Sequence, residues 1–485
     1  MWRRYSFQYI PRITAITALI CLIISLSYVN GSYAQGYEIS IYEAYPYTFW
    51  ASLIGVLFFG IVTLVLCSLT KEKCILVTFI GWIVIFAYYM IIIFLRTMRG
   101  YPFADPQDLN YQTSQLNDII YSGHLGSTNF YPILNLFSES LRIVANLPQT
   151  WIADIVSLVT IIVFILSIYI LAYSIHRESV PAIACSCFAA IPIFGYGYYY
   201  HPSINSALLI PLVLFLLHRV ISTPSVKAAP YFLLLVLVII CEPLYHPMTS
   251  VMITILVLSL GLYRLITHVY HKKSHFFASI SGVNYSIEVT IALILSLIML
   301  IWCLGFAHIQ GNIQIIYQTI IESDGISVYT SKADLINEAG LTLSQFFDLT
   351  INSYGALALY LLPALALLLI VVLSDNLRRY MVQNCQIGQY LFAFIIMSCF
   401  SFVMFFTQTA EANIIRVIRV PIILSTLLSG FTLTLVLTKY CRYNFSKVKR
   451  GFIFFGLIIF LLSVAYFSTF CFHPSPRISQ PNYQV

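Results

Sequence analysis

Charge is what this 485-residue chain most lacks: only 9% of its residues are Asp, Glu, Lys or Arg, where a soluble globular protein carries about a quarter. So few charges cannot solvate a globule of this size, which excludes a water-soluble enzyme. Disorder is excluded by the same figures, because 60% of the residues are hydrophobic and disordered chains are the reverse. A basic nucleic-acid-binding face is missing too. The net charge is only +7 and the basic residues are scattered along loop ends, so no nucleic-acid partner is expected. The 11 cysteines are odd in number and include no CxxC pair, which points to small reduced core residues rather than a disulfide framework. No internal repeat and no soluble domain are apparent, and the tail after residue 472 is too short to fold alone. A polytopic membrane protein remains.

The chain is rich in apolar runs of about 20 residues, the length that crosses the hydrocarbon as a helix. They fall at 13–29, 49–69, 74–95, 151–173, 179–199, 204–218, 228–241, 247–266, 288–307, 353–374, 387–407, 414–438 and 452–472, about thirteen spans on the hydropathy criterion. The runs are continuously apolar rather than alternating, so the expected fold class is an all-α transmembrane bundle and not a barrel. One transmembrane domain covers 1–485, with long loops at 96–150 and 308–352 on the same side of the membrane.

Orientation follows from the basic residues. With the N-terminus cytoplasmic, only Arg96, Arg99, Arg142, Lys332, Arg416, Arg419 and Arg477 of the 25 Lys and Arg fall outside, as the positive-inside rule requires. Of the 18 acids only Glu72, Glu178, Glu288 and Asp375 fall inside. The C-terminus is then external. Arg3 and Arg4 before the first run, and Ser32-Tyr33-Ala34 after it, read as a retained signal anchor, with cleavage after Ala34 as the alternative.

The first long loop carries Ile133, Leu134, Leu136, Phe137, Leu141, Ile143 and Val144, spaced for an amphipathic helix lying in the membrane interface. Ile119, Ile120 and Leu125 suggest a shorter helix before it. The second holds Glu322, Asp324, Asp334, Glu338 and Asp348 and reads either as a lid or as a solvated connection. Where the chain leaves the third span stands Tyr101-Pro-Phe-Ala-Asp105-Pro106-Gln-Asp108-Leu-Asn110-Tyr111. Pro106 biases Asp105 away from the helical region and suits the first position of a helix. Asp105 is therefore either an N-cap or a general base at the membrane face, with Asp108 as its alternate.

This loop resembles the first functional loop of the GT-C superfamily, membrane glycosyltransferases that use polyprenyl-phosphate-linked sugars. The phrasing is most similar to catalytic subunits of oligosaccharyltransferases, through Phe103, Asp105, Pro106, Asn110, Tyr111, Thr113 and Gly123-His124-Leu125. There are departures. Two spans precede the third, Gln112 stands where the family often has Arg, no Trp-Trp-Asp motif is present, and Gly195–Pro202 carries no acid. The resemblance implies a GT-C-like bundle that moves a hexosyl or pentosyl group, with inversion, from a polyprenyl-phosphate sugar. The acceptor is a hydroxyl of a glycan, lipid or protein at the external or luminal face of the plasma membrane, or of the endoplasmic reticulum membrane in a eukaryote. It also admits a divalent cation, Mg or Mn, with Asp105 as ligand.

Such chemistry needs cations for the departing phosphate. Arg416 and Arg419 lie three apart on one helix face near the outer end of the twelfth span, where an arginine is costly and a functional suspect. Snorkelling or pairing with Glu411 is the structural alternative. Arg96 and Arg99, at the base of the Asp105 loop, are further phosphate candidates, or interface anchors. His201, Glu242 and His246 stand at external span ends and, with Asn110, Tyr111 and Glu411, are candidate substrate contacts; the two His-Pro pairs also suit helix caps. The tyrosines at 196–200 suit sugar stacking or an aromatic belt. A secondary transporter or flippase is the rival class, but it favours ionisable groups near the midplane, and here they gather at one face.

Overall fold

In hydrocarbon the backbone must satisfy its own hydrogen bonds, and every regular element among the described residues is an α-helix. The structure is a computed structural model describing residues 2–29, 34, 41–69, 75–100, 106–126, 129–191, 200–273, 286–306, 342–374, 385–406, 413–442 and 447–470. Within these, side chains are not described at 2–8, 96, 106–110, 150, 225, 269–273, 286, 346, 348–354, 385, 405–406, 413–416, 437–442 and 447–454.

The helices are α1 (Trp2–Val29), α2 (Tyr47–Leu69), α3 (Ile75–Met98), α4 (Pro106–Ser122), α5 (Pro132–Ala145), α6 (Gln149–His176), α7 (Ser179–Ala189) and α8 (Pro202–Leu208). They continue with α9 (Ile210–Ser222), α10 (Ser225–Tyr245), α11 (Pro247–Lys273), α12 (Ser286–Leu304), α13 (Leu343–Leu373), α14 (Cys385–Phe406), α15 (Asn413–Arg442) and α16 (Lys447–Phe470). Among the described residues, 11 segments are long and apolar enough to cross a membrane, with α8 and α9 together forming one of them. The chain is an all-α polytopic bundle. The sequence suggested two more spans, which correspond to α7 and α16. Helix α7 stops at Ala189, shortly before Pro192, and the described apolar part of α16 is only Phe455–Phe470.

Proline sets four helix starts at one end of the bundle. Pro106, Pro132, Pro202 and Pro247 each occupy the first position of α4, α5, α8 and α11, where a missing N–H costs nothing. Pro211 likewise separates α8 from α9. The start of α13 lies ten residues earlier than hydropathy suggests, because Thr342 and Gln345 form a capping box.

Small and polar residues bring the helices together, as is usual where lipid offers no hydrophobic gain. Ser25 and Ser52 join α1 to α2 at 2.8 Å, as do Thr14 and Thr63 at 2.9 Å. Among the described spans, α15 is the most deeply buried. It packs on α7, α13 and α14. Its Ser429 hydroxyl donates to the Tyr360 carbonyl at 2.6 Å, and Thr432 donates to that of Pro363 at 3.0 Å. At Gly430 a Cβ would stand 2.4 Å from Cys185 Cα on α7, so these two helices meet backbone to backbone.

The first long loop forms two helices. Helix α4 runs from Pro106, longer than the short helix expected around 119–125. It buries Gln112, Gln115, Leu116 and Ile119, one face at helical spacing. Helix α5 has its polar face inward: Asn135, Ser138 and Glu139 are buried, whereas Leu136, Phe137, Ile143 and Val144 are exposed. An amphipathic helix turned this way round suits a nonpolar exterior. It ends at Asn146, whose left-handed φ of 49° closes the helix two residues before Pro148. Helices α4 and α5 pack on each other, and α5 packs on α6 and α10.

Candidate functional site

The helix end that carries α4 and α5 also gathers buried polar side chains from α8, α10 and α15. Helix α8 is seven residues long and buried throughout. His201 is its N-cap, with Nδ1 accepting from the Ser203 backbone N–H at 3.1 Å. Ser203 Oγ stands 2.7 Å from the same Nδ1 and accepts from Arg419 Nη1 at 2.5 Å. One hydroxyl thus takes a proton contact from the guanidinium and gives its own to the imidazole, which leaves the ring proton on Nε2. Arg419 is 7% exposed, so a cation of α15 is held in the interior by α8.

Three residues along α8, Ser206 donates to Glu242 Oε2 of α10 at 2.6 Å. Glu242 is 1% exposed, and its Oε1 has no hydrogen-bond partner among the described residues; the same holds for Nδ2 of the neighbouring Asn205. Buried polar atoms are rarely left unsatisfied, so this cluster has bonding capacity to spare. His246 follows, its N–H bonded to the Glu242 carbonyl at 2.8 Å. It caps α11 by accepting from Thr249 N–H at 3.3 Å and stacks on Tyr131, with ring centroids 5.5 Å apart. Both His-Pro pairs are therefore helix caps, and both border the polar cluster.

A second buried network lies between α4, α5 and Tyr200. Asn135 Nδ2 is 3.4 Å from both Gln112 Oε1 and Asn129 Oδ1. The Tyr200 hydroxyl is 3.1 Å from Asn135 Oδ1 and 2.8 Å from Ser138 Oγ. Burial pushes the Tyr200 phenol above its ordinary range, with Ser138 offsetting only part of this, so it remains a hydrogen-bond donor. Tyr200 is buried, which removes it from both readings of the tyrosine run; residues 196–199 lie outside the described residues.

Of the residues singled out by sequence, His201, Glu242, His246 and Arg419 come together here. Arg99 is buried just past the end of α3, its guanidinium 5.0 Å from the Tyr45 ring centroid. Tyr111 is 40% exposed. Burial raises its phenol, opposed by a hydrogen bond with the Phe130 backbone. Asp105 and Glu411 lie outside the described residues, as do the side chains of Arg96, Asp108, Asn110 and Arg416. Ser203, Ser206 and Asn135 were not anticipated, and Tyr200 was singled out only as part of the tyrosine run. Their one signal is the string His201-Pro-Ser203, a helix start with a hydroxyl in its first turn. Among the described residues no three His, Cys, Asp or Glu side chains gather as a metal site.

The class defined so far is a polytopic α-helical membrane protein with a buried polar site at one helix end. No family model matches the chain, and no curated protein matches it. Among solved structures, the chain is similar to the Archaeoglobus fulgidus oligosaccharyltransferase in the apo form, at 13% identity and a TM-score of 0.48, covering 90% of this chain and 57% of that one. The same enzyme tethered with an acceptor peptide containing the NVT sequon gives 13% identity and 0.47, covering 90% and 56%. AglB from Archaeoglobus fulgidus in complex with an inhibitory peptide and a dolichol-phosphate gives 13% and 0.46, covering 92% and 57%. The chain thus spans less than two thirds of the length of the structures it matches.

Proposed function

We propose that the chain is a membrane glycosyltransferase that moves a sugar from a polyprenyl-phosphate donor to an acceptor hydroxyl at the external membrane face. The observation that carries this reading is a buried arginine, Arg419, fixed by Ser203 at the helix end from which α4 starts, one residue after Asp105. A cation already in place, where water is scarce, is what a departing phosphate needs. Arg416 precedes Arg419 by three residues on α15, on the same helix face, and would share the phosphate oxygens. Arg96 and Arg99 are reserve cations at the foot of the loop.

A polyprenyl phosphate leaves readily, so no strong acid is required. Asp105 takes the proton from the acceptor hydroxyl, with Asp108 as the alternate. The hydroxyl oxygen bonds to the anomeric carbon as the bond to the phosphate oxygen breaks, through an oxocarbenium-like state that inverts the centre. Asn110, Tyr111, His201, Glu242, His246 and Glu411 contact the substrates.

The test is transfer by the purified protein in vesicles, using a donor radiolabelled in the sugar. A label that leaves the lipid and joins an acceptor supports the proposal. An intact labelled lipid that crosses the bilayer would make the protein a flippase, and no change in either would leave a non-catalytic scaffold.

A further inference from the structure

The two buried networks are joined in sequence by a single peptide bond, between Tyr200 and His201. On one side, Gln112 of α4 accepts from Asn135 of α5, and Asn135 Oδ1 is bonded by the Tyr200 hydroxyl. On the other, His201 caps α8 and holds the Ser203 hydroxyl that takes Arg419. Gln112 is 3% exposed, Asn135 0% and Tyr200 4%. A chain of contacts therefore runs from α4, one turn after Asp108, through α5 to Arg419 on α15. All of its side chains except the half-buried His201 are buried, so their geometry is fixed by packing as well as by hydrogen bonds.

We infer that Tyr200 is a positioning residue whose hydroxyl sets the spacing between the start of α4 and the buried arginine of α15. This rests on the reading of the chain as a transferase. Its physical need is clear: base and leaving group act on opposite sides of one carbon, so their separation has to be held to a fraction of an ångström. Among the described residues α4 packs on α5, and α5 packs in turn on α6 and α10. Tyr200 sets the spacing by holding α5 with its side chain while its backbone continues into the cap of α8. The hydroxyl has one proton and two acceptors within reach, Asn135 and Ser138, both on α5.

Tyr200→Phe removes the hydroxyl and keeps the ring, leaving the His201 cap and Arg419 untouched. Turnover with saturating donor should fall about ten- to hundredfold while donor KM changes by less than about twofold. A purely structural defect would instead lower active protein and thermal stability with kcat per folded molecule unchanged. Spin labels on encoded keto amino acids at Tyr121 of α4 and Val436 of α15, which are 86% and 44% exposed, supply a readout independent of activity. Their distance distribution should be broader in Tyr200→Phe than in the otherwise native chain. Asn135→Ala reaches the same link from α5 and should reproduce both effects, and the double variant should be no slower than Asn135→Ala alone. Unchanged label distances with unchanged kcat, or kcat and KM altered together, would overturn the inference. If the native chain transfers no sugar while the label distances broaden as expected, the transferase reading fails and the link through Tyr200 stands.

Discussion

An arginine near the end of a membrane span is expensive, and two on α15 three residues apart were a site signal legible in the sequence beside the Asp105 loop. Legibility stopped at their partner. Nothing in the pattern around Ser203 distinguishes a hydroxyl that holds a guanidinium from one that bonds its own helix backbone, as Ser186 and Ser401 do. Glu242 and His246 could be read as site residues because an acid and an imidazole at span ends need a reason. Asn135 and Gln112 could not, since amides in an external loop are ordinary when solvated. At this scale the account predicts that Arg416→Ala weakens donor use about tenfold or more, the loss of one charge-assisted contact worth roughly 1.5–3 kcal/mol. Arg416→Lys should lose less, because it keeps a charge but not the fork. Donor titrations on the two variants check this, and an Arg416→Ala protein equal to the native one would assign the residue to snorkelling.

Among the elements, continuous apolar runs identified the membrane helices, and their ends were displaced where local chemistry outweighed hydropathy. Thr342 and Gln345 start α13 early, and Pro211 divides one span into α8 and α9. The amphipathic stretch after Tyr131 was visible as a helix, but which of its faces turns inward is a tertiary choice. That choice was settled by the buried amides it meets. The crossing of α7 and α15 was invisible because a glycine gives no sign of its neighbour. Gly430→Ala should lower stability by about 1–3 kcal/mol or more, as overpacking does, seen as a lower melting temperature in detergent. Cys185→Ala should not rescue it, because the new methyl meets the backbone N and Cα of residue 185 as well as its sulfur. Full rescue would show that the contact is between side chains alone.

For the molecule as a whole, composition was enough to define a polytopic all-α bundle, and the partition of charge between loops gave a direction. Among the described residues, charged side chains find partners at both helix ends. Arg264 bonds Glu288 between α11 and α12 at the end opposite α4 and α5, and Gly261 leaves room for that acid, a Cβ there being 3.3 Å from Glu288 Cβ. Cysteine labels at Asn110 and Ser331 should react with an impermeant reagent added outside, and one at Ser274 should not; labelling of Ser274 in intact cells would invert the orientation and move the site to the other face. The proposed transferase chemistry turns on one carboxylate, Asp105. Asn is an excellent helix cap but cannot accept the acceptor's proton, so a capping role and a catalytic role diverge at this substitution. The decisive measurement is sugar transfer by Asp105→Asn in vesicles beside the native chain: the account predicts a fall of about 10²–10⁴-fold with insertion and donor binding retained, and full activity in Asp105→Asn and Asp108→Asn alike would contradict it.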